Sequence, residues 1–165
     1  MAYADYSYFN DLYFDMGITK AEFNRLSWEA SAFLDRATTG VDNVRKLREY
    51  FPTDEQSAEA VKRCFCAIVK TMLDIHRAEC EAKAASGFIQ AADGTAHTKV
   101  IASVSSGTES RTFAASPAAS NPFFAVIGNE KAQRAMYDAQ VRKYLSGVSD
   151  ANGVNLLYMG VYPHV

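Results

Sequence analysis

The sequence predicts a mainly α-helical, single-domain protein, and three observations carry that prediction. Apolar residues recur at helical spacing over long stretches of the chain. Those stretches open on capping residues and close near a glycine. Hydrophobic residues make up 48% and charged residues 22% of the 165 positions, the balance of a globular chain able to bury a core unaided.

Tyr6, Phe9 and Tyr13 fall at i, i+3, i+7, which predicts a short amphipathic helix stopped by Gly17. Thr19-x-x-Glu22 is a capping box, in which each side chain satisfies a free amide of the first turn. The stripe that follows is Phe23, Leu26, Ala30, Phe33, Leu34 and Ala37, closed by Gly40. Trp28 lies off this stripe, either half-buried under a neighbouring element or placed for a subunit contact, where Trp is favoured. Residues 43–50 form a short helix ending before Pro52. Thr53-x-x-Gln56 reads as a second capping box. Val61, Phe65, Ile68, Met72 and Ile75 then carry a long helix to about Ala85, with Gly87 beyond it.

Residues 88–128 change character: only Asp93, Lys99, Glu109 and Arg111 are charged. Asp93-Gly94 and Ser106-Gly107 are turn signals. The alternation on either side of Ser105–Thr108 predicts one hairpin-like loop, with Val100, Ala102 and Val104 on one arm and Arg111 and Phe113 on the other. Pro117 and Pro122 break the chain. Asn129 caps a last helix whose apolar face is Tyr137, Val141, Tyr144, Leu145 and Val148. Residues 152–165 read as an extended tail, apolar and β-prone from Val154 to Tyr162.

The composition narrows the function. A net charge of −2 gives no basic field for nucleic acid, and the bases of the long helix alternate with acids as on a solvated face. No run is long and apolar enough to span a membrane, and the acidic, aromatic opening does not read as a signal peptide. The three cysteines, Cys64, Cys66 and Cys80, share one helical pattern, so they read as reduced thiols of a protein that folds in a cytoplasm. His76 and Cys80 share a helix face, whereas Cys64 and Cys66 point apart, which argues against a common metal ion. No P-loop, dinucleotide fingerprint or G-x-S-x-G is present, so no enzyme, metal or cofactor is expected.

A long charge-poor loop and an apolar tail are left over once the helices pack, and other chains are the expected partners for both. The order of elements resembles one family. The opening Met1-Ala2-Tyr3 to Phe14 comes first. It is followed by the helix Glu22 to Asp35, the helix Val61 to Ala67, the Ser/Val hairpin of 100–113 and the close Leu156-Leu157-Tyr158-Met159-Gly160. Together they are similar to the head–tail connector (adaptor, or head-completion) proteins of tailed bacteriophages and prophages. The resemblance covers most of the chain through element order, without a single specific motif. Residues 114–128 depart from the family pattern as an insertion, and residues 160–165 as an extension.

The resemblance implies a structural virion protein of the neck, a homo-oligomeric ring of twelve copies below the portal, assembled in the host cytoplasm. It implies portal and stopper or tail-completion proteins as partners, and viral DNA passing through without base readout. Expected contacts between subunits are Trp28, Val100, Ala102, Val104, Arg111 and Phe113. Expected anchors to the portal or a neighbour are Leu156, Leu157, Tyr158, Val161 and Tyr162, with residues 154–162 adding a strand to the partner. The alternative is a prophage-encoded cytoplasmic regulator that binds a host protein through the aromatic opening segment.

Overall fold

A computed structural model describes residues 2–14, 16–90, 96–100, 103–106, 109–112 and 122–163, with side chains over 2–14, 16–83 and 122–163. The described chain is mainly helical: α1 is Tyr6–Leu12, α2 Lys20–Ala37, α3 Lys46–Glu49, α4 Glu55–Ala85 and α5 Glu130–Leu145. It divides into two compact units, one of Met1–Leu73 with Arg134–Val165, the other of Asp74–Gln133.

The first unit holds the core. α1 starts where the Asp5 carboxylate accepts the Tyr8 amide at 2.8 Å, which turns Phe9 inward. α2 opens on the predicted capping box, with both reciprocal Thr19–Glu22 bonds formed. Phe23, Leu26, Ala30 and Leu34 of its stripe are buried, with Phe33 and Ala37 packed at the margin. The α4 stripe is buried as its spacing predicts. The Phe23 ring lies 5.2 Å from Phe9, 5.7 Å from Tyr6 and 6.5 Å from Phe65. One aromatic knot thereby ties α1 and α2 to α4, in the tilted and edge-on geometries that rings prefer. Val141 and Leu145 of α5 and Leu156 beyond it complete the core. α5 is capped by Asn129, whose Oδ1 accepts the Ala132 amide at 3.1 Å, and it ends at Gly147, in the left-handed region at φ 81°.

Three expectations need correcting. The cap of α4 is Asp54, not Thr53: the Asp54 carboxylate accepts the Ser57 amide at 2.8 Å, and a carboxylate is the better partner for the positive end of the helix. The second unit does not support one long hairpin-like loop. Its backbone forms two short antiparallel ladders, β1 Ser86–Gln90 with β2 Ala96–Val100 and β3 Ser103–Ser106 with β4 Glu109–Thr112, followed by a 3-10 helix at Pro122–Val126. Ser106 is the last residue of β3, while Asp93-Gly94 and Gly107 lie outside the described residues. Val100 sits in β2, Val104 in β3 and Arg111 in β4, while Ala102 and Phe113 lie outside the described residues.

The third correction concerns the tail. Residues 152–163 are not an extended strand waiting for a partner. They fold back on the first unit, with only an isolated bridge between Ser149 and Asn155. Their apolar residues do not alternate, so they offer no face for a strand, and Leu156 and Tyr162 are spaced to drop into the chain's own core.

Candidate interaction surface

The tail is held by a polar clasp. Asp150-Ala151-Asn152-Gly153 makes a tight turn in which the Asp150 carboxylate accepts the amides of Asn152 and Val154, both at 2.9 Å. Its other oxygen accepts the Tyr162 hydroxyl at 2.7 Å, and Asn152 Nδ2 donates to the same hydroxyl at 3.1 Å. The Tyr162 ring stacks on Tyr50 with centroids 4.8 Å apart and planes 7° from parallel. Asp42 accepts the Tyr162 backbone amide, and Val41 donates to the Met159 carbonyl at 3.1 Å.

Lys46, at the start of α3, sits at the centre and is fully buried. Its ammonium donates to the Leu156 carbonyl at 3.1 Å and to the Tyr158 carbonyl. Burial lowers its pKa, against the opposing pull of Asp150 and Asp42. A buried ammonium that supplies two carbonyls satisfies backbone that would otherwise go unpaired. Burial, reinforced by Asp150, pushes the Tyr162 phenol up to about 12. Gly40 lets this happen: a Cβ there would stand 2.8 Å from the Gly160 carbonyl oxygen.

A second polar centre braces the same unit. Asp35 of α2 is buried, takes the Tyr3 hydroxyl on one oxygen, and receives Arg48 Nε at 2.6 Å on the other. Arg48 thereby ties α3 to α2 through a charge-assisted ion pair, its Nε and Nη2 both meeting that one oxygen.

The clasp changes the roles of the expected tail anchors. Leu156 and Tyr162 are internal, so they cannot dock a partner without unfolding the base of the unit. Leu157 is half-buried against the core. Tyr158 and Val161 remain outside at 48% and 65% exposure, joined by Met159 and Val41. These four are exposed apolar side chains on the clasp, with Val41 tied to Met159 through the backbone. Trp28 is 75% exposed on α2, so the half-buried reading of it is overturned. Asp42, Lys46, Tyr50 and Asp150 were missed from sequence. The one local signal was the turn dipeptide Asn152-Gly153, which marks the clasp's bend.

Among the described residues, no group of three His, Cys, Asp or Glu side chains converges as a metal site, and the His76 Nδ1 to Cys80 Sγ approach of 3.8 Å is a single helix-face pair. Burial pushes the Cys64 and Cys66 thiols up to about 12, which makes them poor nucleophiles. No described helix is long and apolar enough to cross a membrane. No protein-family model, no curated protein and no solved structure matches this chain.

Proposed function

We propose that this chain is a structural subunit of a tailed-phage neck, the head–tail connector that assembles as a ring between the portal and the stopper or tail-completion proteins. The observation that carries the reading is the exposed apolar group of Val41, Tyr158, Met159 and Val161 on the clasp. Large apolar side chains on a clasp held by a buried lysine and two carboxylates gain nothing for the isolated chain, and a partner that covers them gains their burial. The element order supports the same assignment, as does the charge-poor segment 88–128, whose Val100, Val104 and Arg111 remain proposed contacts with neighbouring subunits. In this reading DNA passes through the ring without base readout, and the subunit carries no catalytic role. The regulator alternative has less support, because Tyr3, Tyr6, Phe9 and Tyr13 of the aromatic opening pack on the core, which leaves Phe14 as its exposed ring.

The test is the mass of the purified chain by sedimentation velocity, alone and with the portal of the phage that encodes it. A closed oligomer of one size, or a stoichiometric complex with the portal, is expected. Replacing Met159 and Val161 by Asp should weaken that complex while leaving the helical spectrum unchanged. A chain that stays monomeric in both settings contradicts the proposal.

A further inference from the structure

The first unit carries two surface features that its core does not use. One is a knob. Phe14, just past α1, is 91% exposed, with Leu12 and Asp11 exposed beside it. Residues 1–18 contain Asp5, Asp11 and Asp15 and no Lys or Arg. Asp5 is occupied in capping α1, while the Asp11 carboxylate makes no hydrogen bond or ion pair among the described residues.

The other feature is a cleft of about 480 Å³ at the end of α2 and the start of α3, lined by Asp35, Arg36, Thr39, Asn43, Arg45 and Arg48. Asp35 is already engaged by Arg48 and Tyr3. The guanidinium groups of Arg36 and Arg45 make no hydrogen bond or ion pair among the described residues. Glu49 is turned to the Arg45 backbone amide at 3.4 Å. Asn43 holds the rim in the left-handed region at φ 62°, which a short amide tolerates. The result is a concave, net-positive site with planar donors to spare.

We infer that the cleft receives the knob of a second copy of this chain, Asp11 pairing with Arg36 or Arg45 and the Phe14 ring lying against a guanidinium plane. The inference rests on the ring reading and names the contact that builds the ring. Charge complementarity selects the occupant: a bidentate Arg–carboxylate pair and an Arg–aromatic stack are the contacts that these residue types make best. A phosphate backbone would satisfy the arginines and leave Phe14 in water; a second copy satisfies both at once. Knob and cleft are different surfaces of one chain, so the contact is head-to-tail, and a rotation that closes gives a ring.

The experiment uses two full-length variants, Asp11→Ser with Phe14→Ser, and Arg36→Glu with Arg45→Glu. All four positions are exposed and none contributes to the core, so both variants should keep the helical far-UV spectrum. Each variant alone should associate on the order of thirtyfold more weakly than the wild type, the loss expected for a central interface anchor. Mixed together they should form one-to-one pairs that do not grow, since each retains the face that the other lacks. Rings from either variant alone, or a mixture that stays monomeric, overturn the inference while leaving the ring reading standing. Normal assembly of the Arg36→Glu, Arg45→Glu variant with lost affinity for a short DNA duplex would reassign the cleft to phosphate and also overturn it. A wild-type chain that never self-associates, with or without portal, defeats the ring reading itself.

Discussion

Tyr162 distinguishes a tail that completes the fold from a tail that exists to dock. Its side chain is 2% exposed, stacked on Tyr50 and hydrogen-bonded through its hydroxyl to Asp150. Tyr162→Ala removes a buried aromatic ring and leaves a cavity beside Tyr50, which costs about 3–5 kcal/mol at such positions. Tyr162→Phe keeps the stack and deletes only the hydroxyl, leaving a buried carboxylate short of one donor, for about 1–3 kcal/mol. Urea unfolding followed by circular dichroism reads both as shifts of midpoint at constant slope. The order expected is wild type, then Phe, then Ala. In a chain of this size the Ala variant should also lose about 6–20 °C in melting temperature. An Ala variant within about 0.5 kcal/mol of the wild type, the range of ordinary surface substitutions, would refute the packing argument and return Tyr162 to the role of an external anchor.

Other outcomes follow from the same geometry. The Tyr162 phenol is raised in the folded state from the ordinary 10.0 to about 12, so its contribution is complete below pH 10 and is lost as pH rises towards 12. Stability measured across that window should fall more steeply in the wild type than in Tyr162→Phe, and parallel curves would contradict the assignment. In thiol titration with an aromatic disulfide at neutral pH, exposed Cys80 should react at once, whereas Cys64 and Cys66 should react only after denaturation. Rapid reaction of all of them in the native chain would contradict the burial of α4. Gly40→Ala places a methyl group 2.8 Å from the Gly160 carbonyl and should cost about 1–3 kcal/mol while loosening the tail, seen as earlier proteolysis beyond residue 150. An unchanged digestion pattern would show that the tail does not approach Gly40 closely.

Sequence carried the helices because their information is local. A capping box and a stripe of spacing three and four specify α2 without reference to anything distant, and both reciprocal bonds of that box are present. The tail was misread because its information is not local. Lys46 bonds carbonyls 110 and 112 positions away, and Asp42 bonds an amide 120 positions away. Nothing in the windows around Lys46 or Tyr162 marks either as internal, and a lysine is ordinarily read as surface. By composition the run from Val154 to Tyr162 is uniformly apolar and β-prone. In the fold it alternates roles irregularly, with Leu156 and Tyr162 inward and Tyr158 and Val161 outward. The arginines of the α2–α3 cleft were invisible for a similar reason: Arg36 and Arg45 meet across a loop, not along a helix face.

The most direct measurement of the connector assignment is made on particles. The coding sequence of this chain is deleted from the phage or prophage genome to which the proposal assigns it, the lysate is imaged by electron microscopy, and the chain is supplied in trans as the control. The account predicts packaged heads separate from free tails, with joining restored by the wild-type chain and not by the Met159→Asp, Val161→Asp variant. Complete tailed particles in the absence of the chain would contradict it.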